Sequence, residues 1–295
     1  MSFIQRLKRP FVKLSRKIRL LQLPQGPSWK SIGFGLEMEI DPKDYIDRDF
    51  FLGVYLPEFV SLLPKILAPG DVCIDAGAHK GYCTLLMAAR VGPAGKVFSF
   101  EPDERTRHYL NANIQHNSLS HVTVFDCALG NKAGSMTFHV SSQPGWSSLF
   151  PNTLAQNKVQ QSIEIPVRSL DELYSSGTMS YDRARLKFIK IDVEGAEPHV
   201  LEGLITTLRE VQPVIWIEIN ESSLKAAGFT HKDVERILIS HQYSLYLPHM
   251  HGLSNQRLAL KSLDHLPVSD AAYDAIALIP SIHLKPLTEG GIDIQ

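Results

Sequence analysis

From about Gly70 onward, the sequence alternates between short segments rich in β-branched and aromatic residues and longer stretches of helical character. The apolar segments fall at 71–75, 96–100, 121–125, 187–191, 213–219, 243–247 and 273–279. Helix-like stretches of about a dozen residues separate most of them, and strands alternating with helices imply a parallel sheet covered on both faces. The rhythm breaks between 134 and 168, where a hairpin-like Ser135-Met136-Thr137-Phe138-His139-Val140 precedes a polar, weakly patterned run from Ser141 to Gln161. Such an insertion is a candidate lid or substrate loop. A chain of 295 residues fits one α/β domain with arms. The expected division is an N-terminal basic amphipathic arm and cap over 1–69, a domain over 70–282 with its insertion at 141–168, and a tail over 283–295.

Composition narrows the function classes. With 44% hydrophobic and 21% charged residues the chain is an ordinary globular protein, and no apolar run approaches the roughly 20 residues of a membrane-spanning helix. The net charge of −1 conceals an asymmetry, because eight of the 30 basic residues precede the first acid, Glu37. A basic arm on an acidic domain argues against a nucleic-acid footprint. In the arm, Phe3, Leu7, Phe11, Leu14, Ile18 and Leu21 recur at helical spacing among Arg and Lys, interrupted by Pro10. Residues 1–23 could lie on an anionic membrane surface; the plainer reading docks the apolar stripe on the protein's own core or on a second copy. The arm lacks the apolar h-region of a secretory signal, so export is not expected. The expected location is cytoplasmic, with peripheral membrane contact left open. Cys73, Cys83 and Cys127 lack metal-type spacing and read as buried thiols in a reducing compartment.

Ligands of open parallel sheets sit beyond the carboxyl ends of the strands, and four such ends carry polar residues. The first, Asp71-Val-Cys-Ile-Asp75-Ala-Gly77-Ala-His79-Lys-Gly81, runs into a glycine turn and then a helix. Glycines there allow close backbone approach to a ligand, or serve only packing. The turn lacks the Gly-Lys-Ser/Thr ending of a phosphate loop and the middle glycine of the nicotinamide fingerprint. Asp75 would repel a pyrophosphate and suits a ligand with a cationic amino group. The second end closes on Glu101, placed either to accept bonds from ribose hydroxyls or to sit at the start of the next helix. At the third, Asp126 could accept from an adenine amino group or merely cap a turn. A nucleoside bearing an ammonium group fits this set of acids, and S-adenosylmethionine is such a molecule.

The fourth end is Lys190-Ile-Asp192-Val-Glu194-Gly195-Ala-Glu197-Pro198, followed on the next strand by Glu218 and Asn220. Asp192 and Glu194 share a side by the period of two, so their carboxylates should raise one another's pKa and make one a general-base candidate. The bland alternative is a pair of helix-start acids partnered by Lys190.

At this point the sequence resembles the FkbM-type S-adenosylmethionine-dependent methyltransferases. The resemblance runs from about Pro69 to Asn220 and rests on Asp75-Ala-Gly-Ala-His-Lys-Gly81, Phe100-Glu101-Pro102, Asn111-Ala-Asn-Ile-Gln-His-Asn117, Trp146-Ser-Ser-Leu149, Val167-Arg-Ser-Leu-Asp-Glu-Leu173, Lys190-Ile-Asp-Val-Glu-Gly-Ala-Glu197 and Val200-Leu-Glu-Gly203. It implies an α/β class I methyltransferase fold: a Rossmann-like, seven-stranded, mostly parallel sheet flanked by helices, in order 3-2-1-4-5-7-6 with the seventh strand antiparallel. It also implies O-methylation of a sugar or natural-product hydroxyl. The sequence departs from the family at His79, where Asn is usual, and at Leu56, where Glu is common.

The resulting expectation is a small-molecule hydroxyl acceptor attacking the methyl carbon of S-adenosylmethionine, with the protein positioning both reactants and removing a proton. Asp75, Gly77, His79, Gly81, Glu101 and Asp126 are the candidate cofactor residues. Asp192 or Glu194 is the candidate base, Glu218 orients the acceptor, and Lys190 steers charge. No metal is assigned, although Asp192, Glu218 and Asn220 offer oxygen ligands for Mg²⁺. His249 and His251 read as a solvent-facing loop pair. The competing functional readings are a non-catalytic nucleoside-binding scaffold and, less favoured, a nicotinamide-dependent oxidoreductase.

Overall fold

The computed structural model describes residues 23–141, 159–251, 257–269 and 271–295. The arm up to residue 22 and the middle of the insertion, with Trp146, lie outside the described residues. In chain order, the cap comprises β1 (Ser28–Gly33), β2 (Leu36–Ile40), α1 (Tyr45–Leu52) and α2 (Pro57–Ile66). The alternating region follows with β3 (Val72–Ala76), α3 (Tyr82–Val91), β4 (Lys96–Phe100), α4 (Glu104–His116) and β5 (Val122–Phe125). β6 (Ala128–Leu129) precedes the insertion, β7 (Gly134–Ser141) and β8 (Val159–Arg168) border it, and α5 (Leu170–Ser175) leads out of it. Then come β9 (Leu186–Ile191), α6 (Glu197–Glu202), α7 (Ile205–Glu210), β10 (Val214–Ile219), α8 (Glu221–Ala226) and α9 (His231–Ser240). The chain closes with β11 (Ser244–His251), β12 (Arg257–Leu263), β13 (Tyr273–Leu278), α10 (Pro280–Glu289) and β14 (Asp293–Ile294).

The main sheet has the order β14-β12-β11-β13-β10-β9-β3-β4-β5. The strands from β5 through β10 are parallel, whereas β13 enters antiparallel beside β10 and β11 follows antiparallel to β13. From β5 to β11 this is the expected 3-2-1-4-5-7-6 order with its antiparallel seventh strand, so the chain has the class I methyltransferase architecture. The structure corrects the expected count, because β12 and β14 extend the sheet to nine strands. The expected tail is also corrected: α10 buries Leu287, and β14 pairs with β12. The physical reason is the free edge of β11, which β12 covers while burying Leu258 and Leu260. His249 and His251 therefore lie in a strand rather than a loop, with His251 Nε2 3.1 Å from the Asp293 carboxylate.

Period-two alternation divides the core between the two faces of the sheet. Val72, Ile74 and Ala76 join Phe98 and Ile217 in one cluster; Cys73 joins Val97, Phe188 and Trp216 in the other. In the second, Phe59 of α2 packs edge-on against Trp216 at 5.2 Å. The cap is thus part of the domain rather than an appendage. Its hairpin is fastened to α4: Asn113 accepts from Glu39 N at 3.0 Å and donates to Lys80 O at 2.8 Å, while Asn117 accepts from Glu37 N and donates to Glu37 O. The three cysteines are free and buried. Among the described residues no helix is long and apolar enough to cross a membrane.

Candidate active site

A cavity of about 280 Å³ opens at the carboxyl ends of the parallel strands. Its floor is the turn after β3, its sides are the ends of β4, β9 and β10, and its far wall is the cap.

On the β3–β4 side the backbone is held in one shape. Gly77 has φ +78°, and a Cβ there would lie 1.8 Å from the Asp192 carbonyl oxygen, so only glycine allows β3 and β9 to exit side by side. The Gly77 and Ala78 N–H groups both donate to Phe100 O, at 3.1 and 3.0 Å. Glu101 accepts from His79 N at 2.8 Å through Oε2 and from Asp103 N at 2.9 Å through Oε1. Burial pushes its carboxyl up to about 7, against the pull of those two N–H groups. Lone pairs remain on both oxygens toward the cavity. His79 takes a left-handed φ of 51°, and burial, reinforced by Lys80, lowers its ring pKa to about 4, so the imidazole is neutral. Its Nε2 is buried without a partner on the cavity wall. Gly81 starts α3 and does not line the cavity; a Cβ there would meet Leu110 Cδ1 at 2.5 Å, so this glycine serves packing.

Two expected cofactor residues stand elsewhere. Asp75 is fully buried beneath the floor rather than on the wall, because period two turns it toward the face covered by α3. Its Oδ2 accepts from Thr84 Oγ1 at 2.6 Å, and its Oδ1 lies 3.4 Å from Lys190 Nζ. Asp126 also stands outside this cavity and lines a second one with Arg168 and Glu172.

The β9–β10 side gathers charge. Asp192, Glu194 and Glu218 each place a carboxylate oxygen within 4.8 Å of the others. Lys190 Nζ donates to Gly77 O at 2.8 Å and stands 3.1 Å from Asp192 Oδ2. Although burial opposes its charge, Asp192 and Asp75 keep the ammonium's pKa well above the usual lysine value. Glu194 occupies a left-handed φ of 53° before Gly195, and Ser223 Oγ donates to it at 3.3 Å. Burial, then Asp192 and Glu197, push Glu194 up to about 8. Glu218 is raised well above the carboxylate range by burial and by Asp192, Glu194 and Asp274. Asn220 is not free to join a metal set, since its Oδ1 caps α8 by accepting from Ser222 N and Ser223 N. The oxygens available to a cation are those of the three carboxylates.

Sequence reasoning missed the second row of this site. Asp274 lies directly opposite Glu218 in the β10–β13 ladder and accepts from Trp216 Nε1 at 2.7 Å. An acid inside the apolar run of β13 was the available signal. Phe50, Tyr55 and Tyr82 form an aromatic wall, with Phe50 and Tyr82 stacked at 4.5 Å and Tyr55 edge-on to both. Lys80 clasps this wall to the turn after β3, its Nζ lying 2.7 Å from Asp44 and 2.8 Å from Asp47, which flank the start of α1.

Comparison with known proteins adds a family to this geometry. The model of the methyltransferase FkbM domain matches residues 75–245. Similar proteins include methyltransferase sdnD of Sordaria araneosa, 29% identical over 44% of this chain and 59% of its own. Another is the hexuronic acid methyltransferase AglP of Haloferax volcanii, 29% identical over 61% of this chain and 66% of its own. The chain thus spans less than two thirds of the length of either relative. A crystal structure of methyltransferase FkbM from Methylobacillus flagellatus superposes over 89% of this chain and 58% of its own, with TM-score 0.44 and 15% identity.

Proposed function

The chain belongs to the FkbM methyltransferase family, and from that premise we propose that it transfers a methyl group from S-adenosylmethionine to a hydroxyl of a sugar or natural-product acceptor. The observation that carries this reading is the division of one cavity between Gly77, His79 and Glu101 on one side and Asp192, Glu194 and Glu218 on the other. The residues present fit the donor. Glu101 has two oxygens fixed by backbone N–H groups with lone pairs left for ribose hydroxyls, and the orphaned His79 Nε2 offers a further polar contact.

S-adenosylmethionine supplies a methyl group already activated as a sulfonium, so the protein's share is to position two ligands and move a proton. The strand order supports an arrangement in which the nucleoside is held at the end of β4 and the acceptor enters on the opposite side of β3, over the ends of β9 and β10. There Glu194 takes the hydroxyl proton, since a carboxylate titrating near 8 is a far better base at neutral pH than an ordinary one. Asp192 is the less suited of the two, because its carboxylate is already engaged by Lys190 at 3.1 Å. Lys190 fixes Asp192 and the Gly77 carbonyl together and so aligns both halves of the cavity. The saccharide relative from Haloferax volcanii supports a sugar-like acceptor.

Titration calorimetry with S-adenosylmethionine and S-adenosylhomocysteine, with NADH as control, tests the reading. Micromolar binding of both sulfur nucleosides and none of NADH is expected; absence of binding by either would sink it.

A further inference from the structure

Charge on the acceptor side of the cavity is unbalanced. Lys190 is the one lysine or arginine among the described lining residues, and its ammonium is already shared by Asp75, Asp192 and the Gly77 carbonyl. The neighbouring imidazole of His79 is neutral. Two carboxylates around one lysine leave a single negative charge, which the net positive charge of bound S-adenosylmethionine offsets. Glu218 remains, half-buried on the wall with Asp192, Glu194, Asp274 and Glu197 as its acidic neighbours. Asp274 faces it directly across the ladder and is itself held by Trp216. Beside these acids stands the aromatic wall: Tyr55 lines the same cavity as Asp192 and Glu218 and lies edge-on to the stacked rings of Phe50 and Tyr82. An acid kept protonated by burial and by acidic neighbours, beside aromatic rings, ionises when an alkylammonium group arrives to pair with it. A carboxylate-bearing acceptor would instead find, among the described lining residues, no lysine or arginine beyond the already shared Lys190.

We propose that the acceptor carries a protonated amine close to its reactive hydroxyl, that Glu218 receives this amine, and that the acceptor class is therefore amino-bearing alcohols such as amino sugars. The inference rests on the reading of the cavity as a donor-and-acceptor site and sets its charge preference apart from that of a uronic acid.

The test is calorimetric binding of methyl glycosides to the protein saturated with S-adenosylhomocysteine, in EDTA. The probes are several amino-hexosides, their N-acetyl counterparts and methyl glucuronide. At least one amine is expected to bind about tenfold or more tightly than its N-acetyl form, with the glucuronide weaker still. In Glu218→Gln that ratio is expected to fall toward one. Equal binding of an amine and its N-acetyl form, tighter binding of the glucuronide, a requirement for a divalent cation, or no binding by any amine would each overturn the proposal. Failure of S-adenosylhomocysteine itself to bind would instead overturn the reading of the cavity, so the two failures are separable.

Discussion

The two sides of the cavity are built on different principles. Around β3 and β4 the polar groups that shape the turn are held, His79 Nε2 apart: Glu101 by two backbone N–H groups, Gly77 and Ala78 by one carbonyl, and Asp75 by Thr84 with Lys190 nearby. Around β9 and β10 the acids outnumber their partners, and Glu194, Glu218 and Asp274 are all pushed upward by burial and by one another. The first side is preorganised and needs only a ligand of the right shape. The second stores unfavourable interaction that a proton or a cation relieves, which is how a carboxylate becomes a base near neutral pH. The contrast fits a side that always binds the same donor and a side where chemistry occurs.

The largest expected effect breaks the second side. Glu194→Gln should lower turnover by about 10²- to 10⁴-fold, the usual worth of a general base. In the parent protein the rate should rise with pH through about 8, because the base acts as its anion and that form is lost as pH falls. Steady-state rates from pH 6 to 9.5 check both statements. A variant with parent-like turnover would transfer the role to Asp192, for which Asp192→Asn is the next comparison.

The clasp between the two sides gives the next effect. Lys80 is 7% exposed and bridges Asp44 and Asp47, so Lys80→Met leaves two carboxylates packed together without their cation. Removing one partner of such a buried set costs about 3–5 kcal/mol, and the midpoint of urea unfolding should fall accordingly. Hydrogen exchange should quicken in α1 and in the turn after β3 together. Exchange confined to α1 would show that this turn stands without the cap. Third in size, Glu101→Ala should weaken S-adenosylhomocysteine binding by about tenfold or more, as expected for hydrogen bonds to a charged group; unchanged affinity would detach the first side from donor binding.

Particular residues show why part of this was legible in the sequence. Strand ends could be read because each carries an apolar run that stops at Gly or at an acid, but the period of two does not carry past Ile191, where β9 ends and Glu194 joins Asp192 through a left-handed turn. Which carboxylate reaches the cavity could not be read: Asp75 and Glu101 both close strands, but α3 covers the first and leaves the second open. Asp274 joins Glu218 only because β13 inserts antiparallel beside β10, and that pairing spans more sequence than any local pattern. The same holds for Lys80 and Asp44, which are 36 residues apart and meet through the cap. The free edge of β11 recruits β12 and β14 for a reason of the whole sheet, not of either segment.

The smallest expected effect concerns stability rather than rate, and it asks whether the preorganised side is as settled as its hydrogen bonds suggest. Burial raises Glu101 and Glu197 to about 7, from 4.5 for a free glutamate. Because the fold favours their protonated forms, both contribute stability that is fully present below about pH 4.5 and is lost as pH rises through about 7. The thermal midpoint of the ligand-free protein should therefore drift downward across that window. Ribose hydroxyls donating to Glu101 favour its anion, so saturating S-adenosylhomocysteine should remove the Glu101 share of the drift and leave that of Glu197, which accepts from Val193 N and Gly195 N and does not line the cavity. Glu101→Gln should flatten the ligand-free profile in the same way, whereas Glu197→Gln should leave the ligand-dependent part intact. A profile that the nucleoside does not change would mean that Glu101 meets no hydroxyl, and the difference between the two sides would then lie in their packing alone.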